Sequence, residues 1–140
     1  MSVQSNKETA RRFIEEVFNH DPSPGTEEFA AQDYLVHDPA GKTMQGMARN
    51  RAVYRSASSD THMTIIHILG EGDLVAVHWT ASGIHQQPLT HLHSELAQVP
   101  ATGKRMTVPG IILFRFQGDK IVEVWRYWDN HHILKQLRAE

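Results

Sequence analysis

The apolar residues of this chain follow two rhythms, and the change between them divides the sequence. Near the N-terminus, Ala10, Phe13, Ile14, Val17 and Phe18 recur at three- and four-residue spacing, which puts them on one face of a helix. Ser5 and Glu8 have the spacing of a capping box and mark its predicted start. The stretch Asn19–Gly25 (NHDPSPG) ends it with two prolines and a glycine. A short helix is predicted over Thr26–Ala31, then an extended segment over Tyr34–Pro39, where the proline forbids a smooth helical continuation. Gly41–Gly46 reads as a loop. Met47–Ala57 reads as a further helix, with Met47, Tyr54 and Ala57 apolar among arginines.

From residue 61 the period becomes two. Thr61–Leu69 is rich in β-branched residues and reads as a strand, closed by a turn at Gly70–Asp73. Over Leu74–His85, Val75, Val77, Trp79 and Ala81 alternate with His78, Thr80 and Ser82. A long connection, Gln86–Lys104, leads to a strand over Arg105–Gln117. Gly118-Asp119 is a tight hairpin signal, and Lys120–Tyr127 is the last strand. Asp129 caps a final helix whose apolar side carries Ile133, Leu134 and Leu137. Helices come first and hairpin-linked strands after. That order predicts an α+β domain with an antiparallel sheet rather than βαβ units. One domain over residues 1–140 fits the length, and a chain of this size can bury a core without staples.

Composition narrows the function. There are no cysteines, so disulfides and thiolate metal sites are excluded and a cytoplasmic, reducing location is expected. The net charge is −2 and the basic residues are scattered, with no stripe to meet phosphates, so no nucleic-acid partner is expected. No apolar run is long enough for a bilayer and Met1–Lys7 is polar, so neither membrane nor signal peptide is expected. Ten histidines stand out, because imidazole titrates near neutrality and binds metals.

Several segments carry a family pattern: Asn6–Asn19, YLVHDP at Tyr34–Pro39, Gly46–Tyr54 ahead of Asp60, and HWTASGIH at His78–His85. The most specific is ATGKRMTVPGIILFRFQGDKIVEVWRYWDNHHILKQL, Ala101–Leu137. Over nearly its whole length the chain resembles the SnoaL-like polyketide cyclases and ester cyclases of the nuclear transport factor two superfamily. The resemblance implies a cone-shaped α+β barrel: a curved antiparallel sheet packed against N-terminal helices, with a short C-terminal helix. It also implies a homodimer. The superfamily includes isomerases and dehydratases, so fold alone does not fix the chemistry. In the cyclases that close anthracycline rings, an aspartate on the last strand is the acid/base, assisted by a glutamine and a histidine on the preceding strand. Those positions fall on Arg126, Gly110 and Ile112 here, and none of the three is retained.

If these positions face a pocket, strand alternation assigns the rest. Met106, Val108, Phe114 and Phe116 join Gly110 and Ile112. Val122, Val124 and Trp128 join Arg126, and Val75, Val77, Trp79, Ala81 and His85 complete the set. The expected ligand-binding residues are Trp79, Met106, Val108, Ile112, Phe114, Val124 and Trp128, lining an apolar pocket for a hydrophobic small molecule. A closed core is the alternative. The opposite face, with Trp125 and Tyr127, is the expected dimer interface.

Arg126 is the sharpest candidate. It cannot be a base, but it can hold a carboxylate or a developing enolate, unless it forms an ion pair with Asp38 or reaches the rim. His85 and His37 are the candidate proton carriers, each with a structural, hydrogen-bonded alternative. His91, His93 and Glu95 form an H-x-H-x-E pattern suited to a divalent metal on an extended strand. The reading preferred for that connection is a lid, with no metal and no cofactor. The function expected is cofactor-free acid/base chemistry on a hydrophobic carbonyl compound: aldol cyclisation, isomerisation or dehydration. Catalytic roles are expected for His85, His37 and Arg126. The alternative is a non-catalytic binder of a hydrophobic ligand.

Overall fold

The computed structural model describes residues 2–19, 27–39, 41, 43–45, 58–89 and 95–139. The helix expected over Met47–Ala57, and His91 and His93, lie outside the described residues.

Helix α1 spans Val3–Arg12. Its capping box is Ser2 with Ser5, not Ser5 with Glu8: the Ser5 N–H donates to Ser2 Oγ at 3.0 Å, and the Ser2 N–H to Ser5 Oγ at 3.1 Å. The serine hydroxyl does the reciprocal work that the pattern assigned to a glutamate, so the helix starts earlier. Phe13–Phe18 continues it as a π-helical segment, closed by a bond from the Asn19 N–H to the Ile14 carbonyl. Ala10, Phe13, Ile14 and Val17 are fully buried there. The Phe13 ring meets Phe18, Phe29, Tyr34 and Phe114 edge-on. Asn19 then bonds the Met63 backbone in both directions, tying the helix end to the sheet.

Among the described residues six strands follow: β1 Ala30–His37, β2 Thr43–Gln45, β3 Ser58–Glu71, β4 Leu74–His85, β5 Arg105–Gln117 and β6 Lys120–Trp128. Helix α2, Asn130–Arg138, closes the chain, with Asp129 accepting from the His131 and His132 N–H groups. The strand order is β2-β1-β6-β5-β4-β3. The expected α+β class and curved sheet are present, with two refinements. The sheet does not close into a barrel, and β1 runs parallel to β6 while every other pair is antiparallel. Hairpin logic reads only chain neighbours, and the first strand pairs with the last.

That long-range pairing also explains two local corrections. The helix expected over Thr26–Ala31 is absent from its described residues 27–31: Ala30 and Ala31 belong to β1, and the Ile121 N–H donates to the Phe29 carbonyl at 2.8 Å. Helix propensity at two alanines yields to strand pairing. The expected loop at Gly41–Gly46 contains β2, paired along the β1 edge. β3 takes in Gly70 and Glu71, leaving Gly72-Asp73 as the turn, with Gly72 at φ +59°.

The inner face buries one cluster from α1, the π-helical segment, β1, β4, β5 and β6. A second cluster joins Leu89, Leu96 and Met106 to Ile133, Leu134 and Leu137 of α2, and Val108 and Trp128 touch both. A bulge near the start of β6 shifts the expected alternation. Arg115 pairs with Glu123 but Phe116 with Ile121, so Ile121 points inward and fully buried where Val122 was expected.

On the outer face one row crosses the sheet through His67, His78, Ile111 and Tyr127. The two histidine Nδ1 atoms lie 3.1 Å apart with the rings nearly parallel, and Ile111 and Tyr127 are exposed. Trp125 is covered by its own chain, with His37 stacked on it at 5.2 Å and the Arg115 guanidinium 5.3 Å from its ring.

Candidate functional site

The inner face is organised in cross-strand rows. Val77, Ile112 and Arg126 are register partners across β4, β5 and β6, and the next row is Trp79, Gly110 and Trp128. On β1, Val36 pairs with Val124 and His37 with Trp125, and Asp38, the residue after β1, acts on Arg126 through its charge. Tyr34, Val36 and Asp38 are the buried alternate positions of that segment. The structure therefore brings Arg126, Asp38, Tyr34, Trp79 and Trp128 to one region of an otherwise apolar face.

Arg126 is 7 % exposed and Asp38 9 %. The Arg126 guanidinium stands 5.4 Å from the Trp128 ring centroid, and its Nε is buried without a hydrogen-bond partner among the described residues. Burial draws its pKa below the ordinary arginine value, and the charges of Asp38 and Tyr34 draw it back up. It stays cationic at any working pH. Of the two structural alternatives weighed for Arg126, the neighbour is Asp38 and the rim is not reached.

Trp79 explains the unusual glycine at position 110. A Cβ built on Gly110 would lie 2.1 Å from Trp79 Cζ2, 2.6 Å from Trp79 Cε2 and 2.6 Å from the Tyr127 carbonyl oxygen. The indole occupies the space that a side chain at position 110 would need. Its Nε1–H is buried and has no acceptor among the described residues.

The seven expected ligand-binding residues do share this interior. Trp79, Ile112, Phe114 and Val124 sit in the first cluster and Met106 in the second, while Val108 and Trp128 bridge them.

The two histidines do not join Arg126. His37 points to the outer face: Nε2 lies 2.6 Å from the Glu123 carboxylate and Nδ1 2.9 Å from Thr43 Oγ1. His85 is on the inner face and fully buried, but eight residues along β4 from Val77, about 26 Å of extended strand. Its Nδ1 accepts the Thr102 N–H at 3.2 Å and contacts Thr102 Oγ1 at 2.9 Å. An Nδ1 that accepts the Thr102 N–H carries no proton, so the Thr102 hydroxyl donates to it while accepting the Lys104 N–H. Nδ1 is therefore the acceptor, and Nε2 carries the proton of a neutral ring.

Burial lowers the His85 pKa, opposed by the Gln87 backbone. A folded-state pKa below the unfolded value makes the unfolded chain bind more protons on acidification. Stability contributed by neutral His85 is then full above about pH 6.5 and drains away as pH falls toward the lowered folded value. Equilibrium urea unfolding between pH 7 and pH 5 is expected to show this loss in the wild type and a shallower slope in His85→Gln. Identical slopes would remove His85 from the acid response.

The long connection is anchored at both ends. The His85 N–H donates to the Lys104 carbonyl and the Gly103 N–H to the His85 carbonyl, each at 2.8 Å, and Leu89 and Leu96 are buried under α2. Glu95 begins a 3₁₀ turn, Glu95–Gln98, and pairs with Arg138 at 3.2 Å. Among the described residues no cluster of three metal-ligating side chains is found. Sequence reading named Asp38 only as a counter-ion and passed over Tyr34 and the Trp79 N–H. The signal for the first two was the alternation Tyr34, Val36, Asp38, which extends the inner face onto β1.

A family model described as SnoaL-like polyketide cyclase matches residues 8–137. No curated protein matches the chain. Solved structures share the fold. A SnoaL-like candidate polyketide cyclase from Jannaschia sp. CCS1 superposes with TM-score 0.81 at 19 % identity, covering 98 % of this chain and 94 % of that one. IdmH, a candidate polyketide cyclase from Streptomyces antibioticus, gives 0.78 at 25 % identity, covering 96 % and 99 %. AclR, a candidate hydroxylase from Streptomyces galilaeus, gives 0.79 at 20 % identity, covering 97 % of each chain.

Proposed function

We propose that this chain, which belongs to the SnoaL-like polyketide cyclase family, acts on a hydrophobic carbonyl compound by acid/base chemistry that needs no cofactor: aldol cyclisation, isomerisation or dehydration. The observation that carries this reading is the buried Arg126 with its neighbour Asp38, placed among Trp79, Trp128, Ile112 and Val77. A guanidinium is costly in such surroundings unless it meets an anion. Arg126 Nε–H and Trp79 Nε1–H are donors held ready for an oxygen that gains negative charge as a carbonyl enolises. The apolar residues around them supply binding area for the rest of the molecule.

Binding tests the anion-holding half of the reading. β-Naphthoate is expected to quench the tryptophan fluorescence at least about tenfold more tightly than naphthalene, a difference of about 1.4 kcal/mol. Arg126→Gln should erase the preference while leaving naphthalene affinity nearly unchanged. Equal affinities in the wild type would sink the role given to Arg126.

A second reading is a non-catalytic binder of the same ligand class. It is favoured by the replacement of all three ring-closing positions by Gly110, Ile112 and Arg126. A binder holds a carbonyl compound without exchanging its α-protons, which separates the two readings.

A further inference from the structure

The outer face of the sheet carries a pair of side chains that the carbonyl chemistry does not use. Plain strand alternation would not assemble it. β3 and β4 pair Ile65 with Trp79 and then His67 with His78, so Ile66 is an extra residue on β3. That bulge leaves Ile66 46 % exposed and turns His67 to the outer face, directly opposite His78. Without it, Ile66 would meet His78, and His67 would lie opposite Val77 on the inner face. With it, the two Nδ1 atoms lie 3.1 Å apart and the ring planes are 10° from parallel.

That separation is the span of a chelate. Two imidazole nitrogens at about 2.05 Å from one metal ion are about 2.9 Å apart at a right angle and about 3.4 Å apart at the tetrahedral angle. The observed distance falls between the two. The paired strands hold both rings close together, so the second nitrogen is already at hand once the first has bound. Rotation of the exposed His67 ring aims both lone pairs at one point on the solvent side. In the metal-free pair one Nδ1 carries a proton and donates it to the other. On metal binding that proton moves to Nε2 of the same ring, so a neutral pair loses no proton overall. The surroundings select the ion. The adjoining rows on this face are Thr64–Thr80 and Leu69–Ala76, and Ile111 lies beside His78 on β5. None of these residues carries a charge. No lysine or arginine among them repels a cation, and no carboxylate supplies the oxygen ligands of Mg²⁺ or Ca²⁺. Imidazole alone suits zinc, copper and nickel.

We propose that His67 and His78 chelate a divalent transition-metal ion, Zn²⁺ or its first-row neighbours Cu²⁺ and Ni²⁺, and that the ion clamps the β3–β4 hairpin on the face turned away from the apolar interior. The chain supplies two nitrogen ligands and water fills the remaining positions, so the site is an open one. It lies on the opposite face of the sheet from Arg126 and does not depend on the carbonyl chemistry. Because the ion bridges two strands that must be paired for both rings to reach it, it binds the folded chain in preference to the unfolded one and stabilises the fold by mass action.

The experiment titrates the full chain with Zn²⁺ at about pH 7.5, above the ordinary range of imidazole titration, and reads both the heat of binding and the melting temperature. Wild-type protein is expected to bind the ion and to melt at a higher temperature as Zn²⁺ is added. His67→Gln and His78→Gln should each weaken this binding by at least about 10²-fold, the low end of the gain from linking two binding events. The double variant should bind no worse than either single one, because one lost ligand already breaks the chelate. His91→Gln/His93→Gln should keep the site, which separates it from the H-x-H-x-E pattern in the long connection. A second readout is the paramagnetic resonance spectrum of bound Cu²⁺, expected to show coupling to two imidazole nitrogens in the wild type and to lose it in either single variant. Undiminished Zn²⁺ affinity in His67→Gln and His78→Gln, loss of binding in His91→Gln/His93→Gln, or a wild type that binds no Zn²⁺ would each overturn the site.

Discussion

Arg126→Met is expected to destabilise the protein by about 3–5 kcal/mol, the usual cost of removing one partner from a buried charge pair. Methionine fills similar volume and suits an apolar core, so packing loss is a small part of the effect. The large part is electrostatic: Asp38 would stay buried without the Arg126 charge that acts on it. The double variant Asp38→Asn/Arg126→Met should recover most of the loss, because two neutral side chains leave no uncompensated charge. Chemical denaturation of the four proteins of this cycle gives the coupling directly. Additive effects in the double variant would mean that Asp38 and Arg126 do not form an energetic pair.

Gly110→Ala is the second large effect, from a single methyl. Its Cβ would fall 2.1 Å from the Trp79 ring and 2.6 Å from the Tyr127 carbonyl oxygen. The indole can tilt, at the cost of its packing against the core. The carbonyl belongs to β6 and cannot move without disturbing the β5–β6 ladder. Overpacking of a dense core costs about 1–3 kcal/mol, occasionally more, and two clashes on opposite sides place this variant at the upper end. Displaced Trp79 should shift the tryptophan emission to the red. Adding Trp79→Leu should relieve the ring clash but not the carbonyl clash, so rescue is expected to be partial. A Gly110→Ala protein with wild-type stability and emission would contradict the close indole–glycine contact.

The strands legible in the sequence were those whose partners are their chain neighbours. Leu74–His85 alternates because one face is buried and the other is not, Arg105–Gln117 reads as a long strand beside it, and the bounds of both match the structure. The cap at Asp129 was legible because it depends only on the next few residues. Helix α1 was legible as a stripe, but its start was misplaced because a serine can replace glutamate in the reciprocal bond. Three features depended on contacts between distant residues and gave no local signal. Ala30 and Ala31 read as helix until β6 offers them a ladder. Val122 and Ile121 exchange faces because of a bulge that no residue type announces. His37 looked aimed at the interior because YLVHDP leads there, yet its parity with Leu35 turns it outward toward Glu123 and Trp125. The site followed the same rule. Arg126 was found from alternation and the family resemblance, whereas the weight of Asp38 appeared only once β1 was placed beside β6.

The single parallel pair also governs when the site can exist during folding. β3–β4 and β5–β6 form by extending tight hairpins, and β4–β5 closes across the 86–104 connection, all of them shorter loop closures than the β1–β6 pairing. The β1–β6 ladder closes most of the chain at once, and it needs the last strand before the first has any neighbour other than the three-residue β2. Until that closure, β1 and β6 each present an unpaired edge, and the buried faces of Phe29, Tyr34 and Val36 stay wet. Asp38 and Arg126 meet only at that step. The order predicts a late, slow folding phase in which stable structure, binding of apolar probes and the charge pair arrive together, and a partly folded state whose open edges favour association between chains.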